Sequence, residues 1–313
     1  MNKLISIAMT TYNGEKYLAE QIDSILAQSY SDFELIISDD CSTDATRTIL
    51  NDYKVKDNRI KLHFNEANLG FKKNFEQALR LCSGEFIALS DQDDVWTENH
   101  LEILMSNIGS ADLIGADAIM TDSHLNPLGY TMQDATGIKL ENPNSDFLFL
   151  HELYSNIFQG TACLMRSSIL QSLLPIPECA LFHDHWAALI AGIGNGLAYI
   201  QEPVLFYRQH KEQITENPKQ TLFASIKQTV KKQEKNKFER QQLVKMLKLL
   251  FQKSSDSEKK IQISSVIKYN TNILERKRIR ALHHFLKHYK VIYGKTSIVF
   301  FLFRFIKILS GLI

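Results

Sequence analysis

Gly84-Glu85-Phe86-Ile87-Ala88-Leu89-Ser90-Asp91-Gln92-Asp93-Asp94-Val95-Trp96 is an apolar run that ends abruptly in three carboxylates. A short apolar run bounded by polar residues reads as a strand buried on both faces, as in parallel sheets. Runs of the same form occupy residues 4–9, 33–38 and 60–64. Helical spacings lie between them, first Tyr17, Leu18, Ile22, Ile25 and Leu26, then Phe71, Phe75, Ala78, Leu79 and Cys82. Strand, helix, strand, helix predicts an α/β fold with a mainly parallel central sheet flanked by helices. Ligands of such sheets sit beyond the carboxyl ends of the strands. Polar clusters fall at those ends in three places, Thr10-Thr11-Tyr12-Asn13, residues 39–44 and residues 91–94, so three loops are expected to meet at one crevice.

Asp91, Asp93 and Asp94 repel one another unless solvent or a cation relieves them. A divalent Mg²⁺ or Mn²⁺ suits oxygen donors, takes one or two protein carboxylates, and completes its shell with water and phosphate oxygens. A diphosphate is therefore the expected co-ligand, with Gln92 in the same loop. Read alone, the Asp-x-Asp also fits a solvated loop or the cap of a helix starting near Thr97. Asp39, at the end of its strand, can accept the imide N–H of uracil or thymine, with Asp40 on a ribose hydroxyl. Thr43 or Asp44 reads as the cap of the next helix. Asn68-Leu69-Gly70 precedes a helix that opens with Lys72, Lys73 and Asn74, which places a cation and a helix N-terminus toward the phosphate, or else a surface lysine pair.

Further on come an apolar run at residues 161–165, a helix at residues 183–193 and a strand from Leu197 toward Tyr207. Gln159-Gly160 stands before the first, His183-Asp184-His185-Trp186 opens the second, and Tyr207-Arg208-Gln209-His210 closes the third. Asp184 lies on a different segment from the acidic loop, so it can approach a sugar from the face opposite the phosphates.

With Thr10-Thr11-Tyr12-Asn13-Gly14, residues 39–44, Asn68-x-Gly70 and Asp91-x-Asp93-Asp94, the chain resembles the family 2 glycosyltransferases of the GT-A fold over residues 3–215. Its second block is most similar to bacterial rhamnosyltransferases of cell-surface polysaccharide synthesis. The resemblance implies that Thr10, Thr11, Tyr12, Asn13, Asp39, Asp40, Asn68, Gly70, Lys73, Asp91 and Gln92 bind a nucleotide sugar. Asp93 then becomes the direct metal ligand, with Asp91 and His210 beside it, and Asp184 the catalytic base. The family's usual Glu-Asp at this helix start is His183-Asp184 here. Asp94, Gln159, Gly160, His183, His185, Trp186 and Arg208 are expected around the acceptor. A base opposite a leaving diphosphate implies direct displacement with inversion. L-rhamnose from deoxythymidine-diphosphate rhamnose is the preferred donor, and a uridine-diphosphate hexose or N-acetylhexosamine the alternative. The acceptor is a hydroxyl of a glycan or a lipid-linked glycan. A non-catalytic nucleotide-sugar-binding protein stays open as a rival. A sugar-nucleotide pyrophosphorylase requires a Gly-rich, Arg-containing loop where Thr10-Thr11-Tyr12-Asn13 stands.

Charge divides the chain. Residues 1–220 hold 15 Lys/Arg and 30 Asp/Glu, residues 221–313 hold 21 and 5, so the overall +1 is a cancellation. The expected organisation is a GT-A catalytic part at residues 1–220, with a nucleotide half at 1–96 and an acceptor half at 97–220, followed by a basic helical region at 221–313. Helices there should break at residues 254–257. Residues 296–313 are mostly apolar, interrupted by Arg304 and Lys307, too short and too charged to span a bilayer comfortably. They read as an interfacial anchor beside Lys231-Lys232, Arg276-Lys277-Arg278 and Arg280, or as a face packed on protein or on a second copy of the chain. A peripheral position on the inner face of the cell membrane is expected. Nucleic acid is not, because the catalytic part is acidic and no binding motif accompanies the cations. Cys41, Cys82, Cys163 and Cys179 have no paired spacing, and a reducing cytoplasmic setting is expected.

Overall fold

The computed structural model describes residues 3–136, 143–210 and 229–293. The first half contains β1 (Ile5–Thr11), α1 (Leu18–Leu26), β2 (Phe33–Asp39), α2 (Thr46–Lys56), β3 (Ile60–Phe64), α3 (Phe71–Leu81), β4 (Phe86–Ser90), β5 (Val95–Trp96) and α4 (His100–Asn107). Then come β6 (Leu113–Thr121), β7 (Pro127–Thr131), α5 (Met132–Thr136), α6 (Ser145–Glu152), β8 (Cys163–Arg166), α7 (Leu170–Leu173), α8 (His183–Ile193) and β9 (Leu197–Arg208). Three helices follow, α9 (Thr229–Lys253), α10 (Ser257–Leu274) and α11 (Arg278–Tyr293).

Among the described residues, one sheet of nine strands runs β3-β2-β1-β4-β8-β6-β9-β5, with β7 on β6. β1 pairs in parallel with β2 and β4, and β2 with β3. The strand order reverses direction at β1, which places the loops after β1, β2 and β4 around one switch point. Every residue of β1, β2 and β4 is buried, because helices cover both faces. Ile5, Ile7 and Met9 enter one core with α1 and α4, while Ala8 enters the other with α3 and α8, the alternation that a pleated strand imposes. The expected parallel sheet ends at β8, which is antiparallel to both β4 and β6. β6 and β9 are parallel again, and β5 and β7 are antiparallel edges. Antiparallel neighbours need no crossover helix, so the sequence rhythm that marks the first half is absent from the second.

The break between α9 and α10 falls where expected. Asp256 caps α10 by accepting the N–H groups of Glu258 and Lys259. Met246, Leu247 and Leu250 of α9 and Ile263 and Val266 of α10 share a buried cluster with Trp186, Leu189 and Ile190 of α8. These helices therefore pack on the sheet part. The expected boundary at residue 220 and the anchor at residues 296–313 lie outside the described residues, as do the side chains of Lys231 and Lys232.

Candidate active site

A cavity of about 660 Å³ opens where the three loops meet, with Thr10 to Asn13, Asp91, Gln92, Asp93 and Asp184 in its wall. The loops are tied together before any ligand arrives. The Gln92 carboxamide accepts the Tyr12 N–H at 2.8 Å and donates to the Tyr12 carbonyl at 3.1 Å. Gly14 leaves room for it, since a Cβ there would lie 2.3 Å from Gln92 Oε1. Asn13, with φ of 48°, donates its N–H to Ser42 Oγ and accepts the Thr43 N–H on its side chain. Asn is among the few residues that tolerate that conformation.

The acidic loop divides its carboxylates. Asp91 faces the cavity, and burial, followed by the charges of Asp93 and Asp184, pushes it up to about 7. Asp93 also faces the cavity, with His210 Nε2 2.9 Å from its Oδ2. Arg208 holds this arrangement from behind. Its guanidinium lies 4.3 Å over the Tyr17 ring, donates from Nε to the Asp93 carbonyl at 2.8 Å, and reaches Glu20 at 2.5 Å. Its backbone N–H donates to Asp94 Oδ1 at 3.1 Å. Asp94 points inward and is buried, and burial, with Asp93 and Asp91, raises it well above the carboxylate range.

Asp184 stands in the first turn of α8 and in the cavity wall. Its Oδ1 accepts from Asn156 Nδ2 at 2.9 Å and the His185 N–H at 2.6 Å, while among the described residues Oδ2 accepts only the Gly160 N–H, at 3.1 Å. A carboxylate oxygen has two acceptor positions, so Oδ2 keeps one for a substrate proton. Burial raises Asp184 to about 6 against the opposing pull of these bonds, which suits a base that works near neutral pH.

A divalent ion fits the donor set of this wall. Asp93 and His210 offer carboxylate oxygen and imidazole nitrogen side by side, and Asp91 adds a second carboxylate in the same cavity. No group of three or more such donors converges among the described residues. One or two protein ligands, with phosphate oxygens and water completing the shell, is the usual arrangement for Mg²⁺ in phosphate sites.

Several sequence expectations are corrected. Lys73 does not face the cavity, because its ammonium pairs with Glu76 and Glu178. Lys72 donates to the carbonyls of Glu178 and Ala180. Asn74 is the residue of that triplet that lines the cavity. Asp39 is fully buried behind Thr11, Ser42 and Arg47, whose Nε lies 2.7 Å from its Oδ2. Asp40 lines the cavity, yet its carboxylate accepts from Asn65, Leu69 and Gly70, so Asp40, Asn68 and Gly70 clamp a loop. Successive helix residues turn by 100°. His185 and Trp186 therefore leave the cavity for the core, where they bond the carbonyls of Glu152 and Leu173. Arg208 and Asp94 are likewise buried under the acidic loop. Gln159 and His183 do line the cavity, and Gly160 orients Asp184. Sequence reading missed Lys16, Asn156, Phe71, Phe75 and Phe182 in the wall. Lys16, directly after the first polar loop, was the one with a local signal.

The family model described as Glycosyl transferase family 2 matches residues 6–174. The UDP-Glc:alpha-D-GlcNAc-diphosphoundecaprenol beta-1,3-glucosyltransferase WfgD of Escherichia coli is 42% identical over 103 residues, 33% of this chain and 40% of the relative. This chain thus matches about two fifths of that relative's length. S. aureus TarS 1-349 in complex with UDP-GlcNAc superposes with a TM-score of 0.55 at 19% identity, covering 93% of this chain and 89% of that one. Mannosyltransferase PcManGT of Pyrobaculum calidifontis, in complex with GDP-Man and Mn2+, gives 0.57 at 16% identity, covering 98% and 80%. Both structures are alike in fold.

Proposed function

Since the chain belongs to glycosyl transferase family 2, we propose that it transfers a sugar from a nucleoside diphosphate to a hydroxyl of a glycan or lipid-linked acceptor in bacterial cell-surface polysaccharide synthesis. The observation that carries this reading is the meeting of Asp91, Asp93 and Asp184 in one cavity from separate segments. Asp184 takes the acceptor proton on Oδ2 as the hydroxyl attacks the anomeric carbon, opposite the departing diphosphate, and the centre inverts. Gly160 and Asn156 fix the carboxylate for that transfer. Asp93, His210 and Asp91 would hold Mn²⁺ or Mg²⁺, which when bound supplies a Lewis acid for the charge on the leaving diphosphate. Arg208 positions Asp93 through its main-chain carbonyl.

For the donor, the relatives favour a uridine-diphosphate hexose or N-acetylhexosamine over deoxythymidine-diphosphate rhamnose. WfgD is named for UDP-Glc and TarS is bound to UDP-GlcNAc. A thermal-shift panel of UDP-, dTDP- and GDP-sugars with and without Mn²⁺ tests the assignment. Stabilisation by UDP-sugars that requires Mn²⁺ is the expected result; rhamnose would be restored by selective response to its dTDP form. Indifference to every nucleotide would overturn the transferase reading.

The protein is placed peripherally on the inner face of the cell membrane. Residues 276–280 form an exposed corner in which Ile279 stands among Arg276, Lys277, Arg278 and Arg280, a composition drawn to anionic lipid surfaces. No helix among the described residues is long and apolar enough to cross a membrane. Flotation with anionic but not neutral liposomes is expected, and equal recovery with both would sink the placement.

A further inference from the structure

His183 is the anomaly of the cavity wall. It is 8% exposed, and neither ring nitrogen has a hydrogen-bond partner among the described residues. Leaving buried polar atoms unpaired costs stability, so a purely structural ring at this place would be a phenylalanine. The imidazole stacks on Phe75, with centroids 3.7 Å apart and planes 19° apart, and meets the edge of Phe71 at 6.4 Å. Phe182 packs on Phe71 at 6.3 Å, and all four rings line the cavity. Stacking fixes the face of the imidazole, and both of its nitrogens are buried. Gly160 packs close to the ring edge, where a Cβ would lie 3.3 Å from Nε2. Burial pushes the ring down to about 3, so it is neutral and presents one donor and one acceptor. It is also a weaker base than the adjacent Asp184, which leaves the proton transfer to the carboxylate.

We propose that His183, with Phe71, Phe75 and Phe182, forms the acceptor subsite. A pyranoside lays its apolar face on Phe71 and Phe182, while Phe75 backs the imidazole, and bonds a ring hydroxyl to that imidazole, which sets the neighbouring hydroxyl against Asp184. A sugar hydroxyl is at once donor and acceptor, the complement of a neutral imidazole. Aromatic rings supply the apolar contact at little conformational cost. The assignment rests on the transferase reading above and extends it to which residue selects the acceptor.

The test uses the full chain with Mn²⁺, the UDP-sugar that stabilises it most, and a panel of p-nitrophenyl glycosides as acceptors. His183→Phe keeps the stack and removes both nitrogens; His183→Asn restores a donor and an acceptor on a smaller group. Expected for His183→Phe are a melting temperature equal to or above wild type, a retained UDP shift, and an acceptor KM raised at least tenfold with a smaller change in kcat. His183→Asn should recover part of that KM. An unchanged acceptor KM in His183→Phe would overturn the assignment, as would donor hydrolysis by the wild type with no glycoside used. Absence of any nucleotide-sugar turnover by the wild type would remove the transferase reading, and the subsite with it.

Discussion

On the side of the cavity proposed for the donor, Asp39 accepts from Thr11, Ser42 and Arg47, Asp40 from Asn65, Leu69 and Gly70, and Gln92 is closed on Tyr12. On the side proposed for the acceptor, both nitrogens of His183 have no partner among the described residues, and Asp184 Oδ2 has one acceptor position open among them. The carboxylates of Asp39 and Asp40 are satisfied by folding, whereas the imidazole of His183 is stripped of water and not yet repaid. Such a division implies opposite responses to mutation: loss of a donor-side bond should weaken fold and function together, while loss of an acceptor-side polar group should abolish function and firm the fold.

Asp184→Asn is the sharpest way to break that comparison. Transfer should fall by about 10²–10⁴-fold, the usual contribution of a general base, with the UDP shift retained. Because Asp184 is raised to about 6 by burial, its protonated form is the one the fold favours. That stability is complete below the unfolded carboxylate range and is lost as pH rises through about 6, while turnover, which needs the ionised form, rises over the same interval. Asp184→Asn should therefore lose the decline in melting temperature as pH rises through about 6, and lose the ionisation near 6 from its residual rate. A lower melting temperature with normal turnover would reverse the argument.

Arg208→Met belongs to the finished side. With Asp93 no longer held from behind, Mn²⁺ affinity measured through the nucleotide shift should weaken by about 10–100-fold, as for other residues that orient metal ligands. The melting temperature should fall as well, because the buried N–H of Arg208 and the Glu20 pair lose their geometry. A variant equal to wild type in both would leave Asp93 independent of it. The smallest effect is expected at Lys73→Ala. Its ammonium is half-exposed and paired with Glu76 and Glu178, so donor KM should change by less than about twofold, since exposed pairs of this kind contribute little. A tenfold rise would return Lys73 to the phosphates.

The elements of the first half were legible because each strand is continuous in sequence and each crossover helix carries its own period. Residues 60–64 and 183–193 were placed to the residue, and the cap at Asp256 fell within the expected break. What escaped depends on partners far along the chain. The direction of Lys72 is decided by carbonyls more than a hundred residues away. Asp39 is the local exception, closed in by Arg47, the second residue of α2. Trp186 looked like a pocket residue because the motif that contains it starts at the cavity, yet helical rotation carries it into the core within two residues. Phe71 and Phe75 read as one face of a helix, and only the position of α8 beside α3 brings Phe182 and His183 against them as one wall.

The cluster joining α9 and α10 to α8 bears on where the chain can be shortened. Met246, Leu247, Leu250, Ile263 and Val266 are all buried there, and side chains of this size contribute on the order of 10 kcal/mol together. That is comparable with the whole net stability of an ordinary protein. The match to the family model ends at residue 174, before α8 begins, so that match leaves out both the helix carrying Asp184 and the helices packed against it. A truncate stopping after His210 would keep every residue assigned to chemistry and still lack the ballast that seats the helix carrying Asp184.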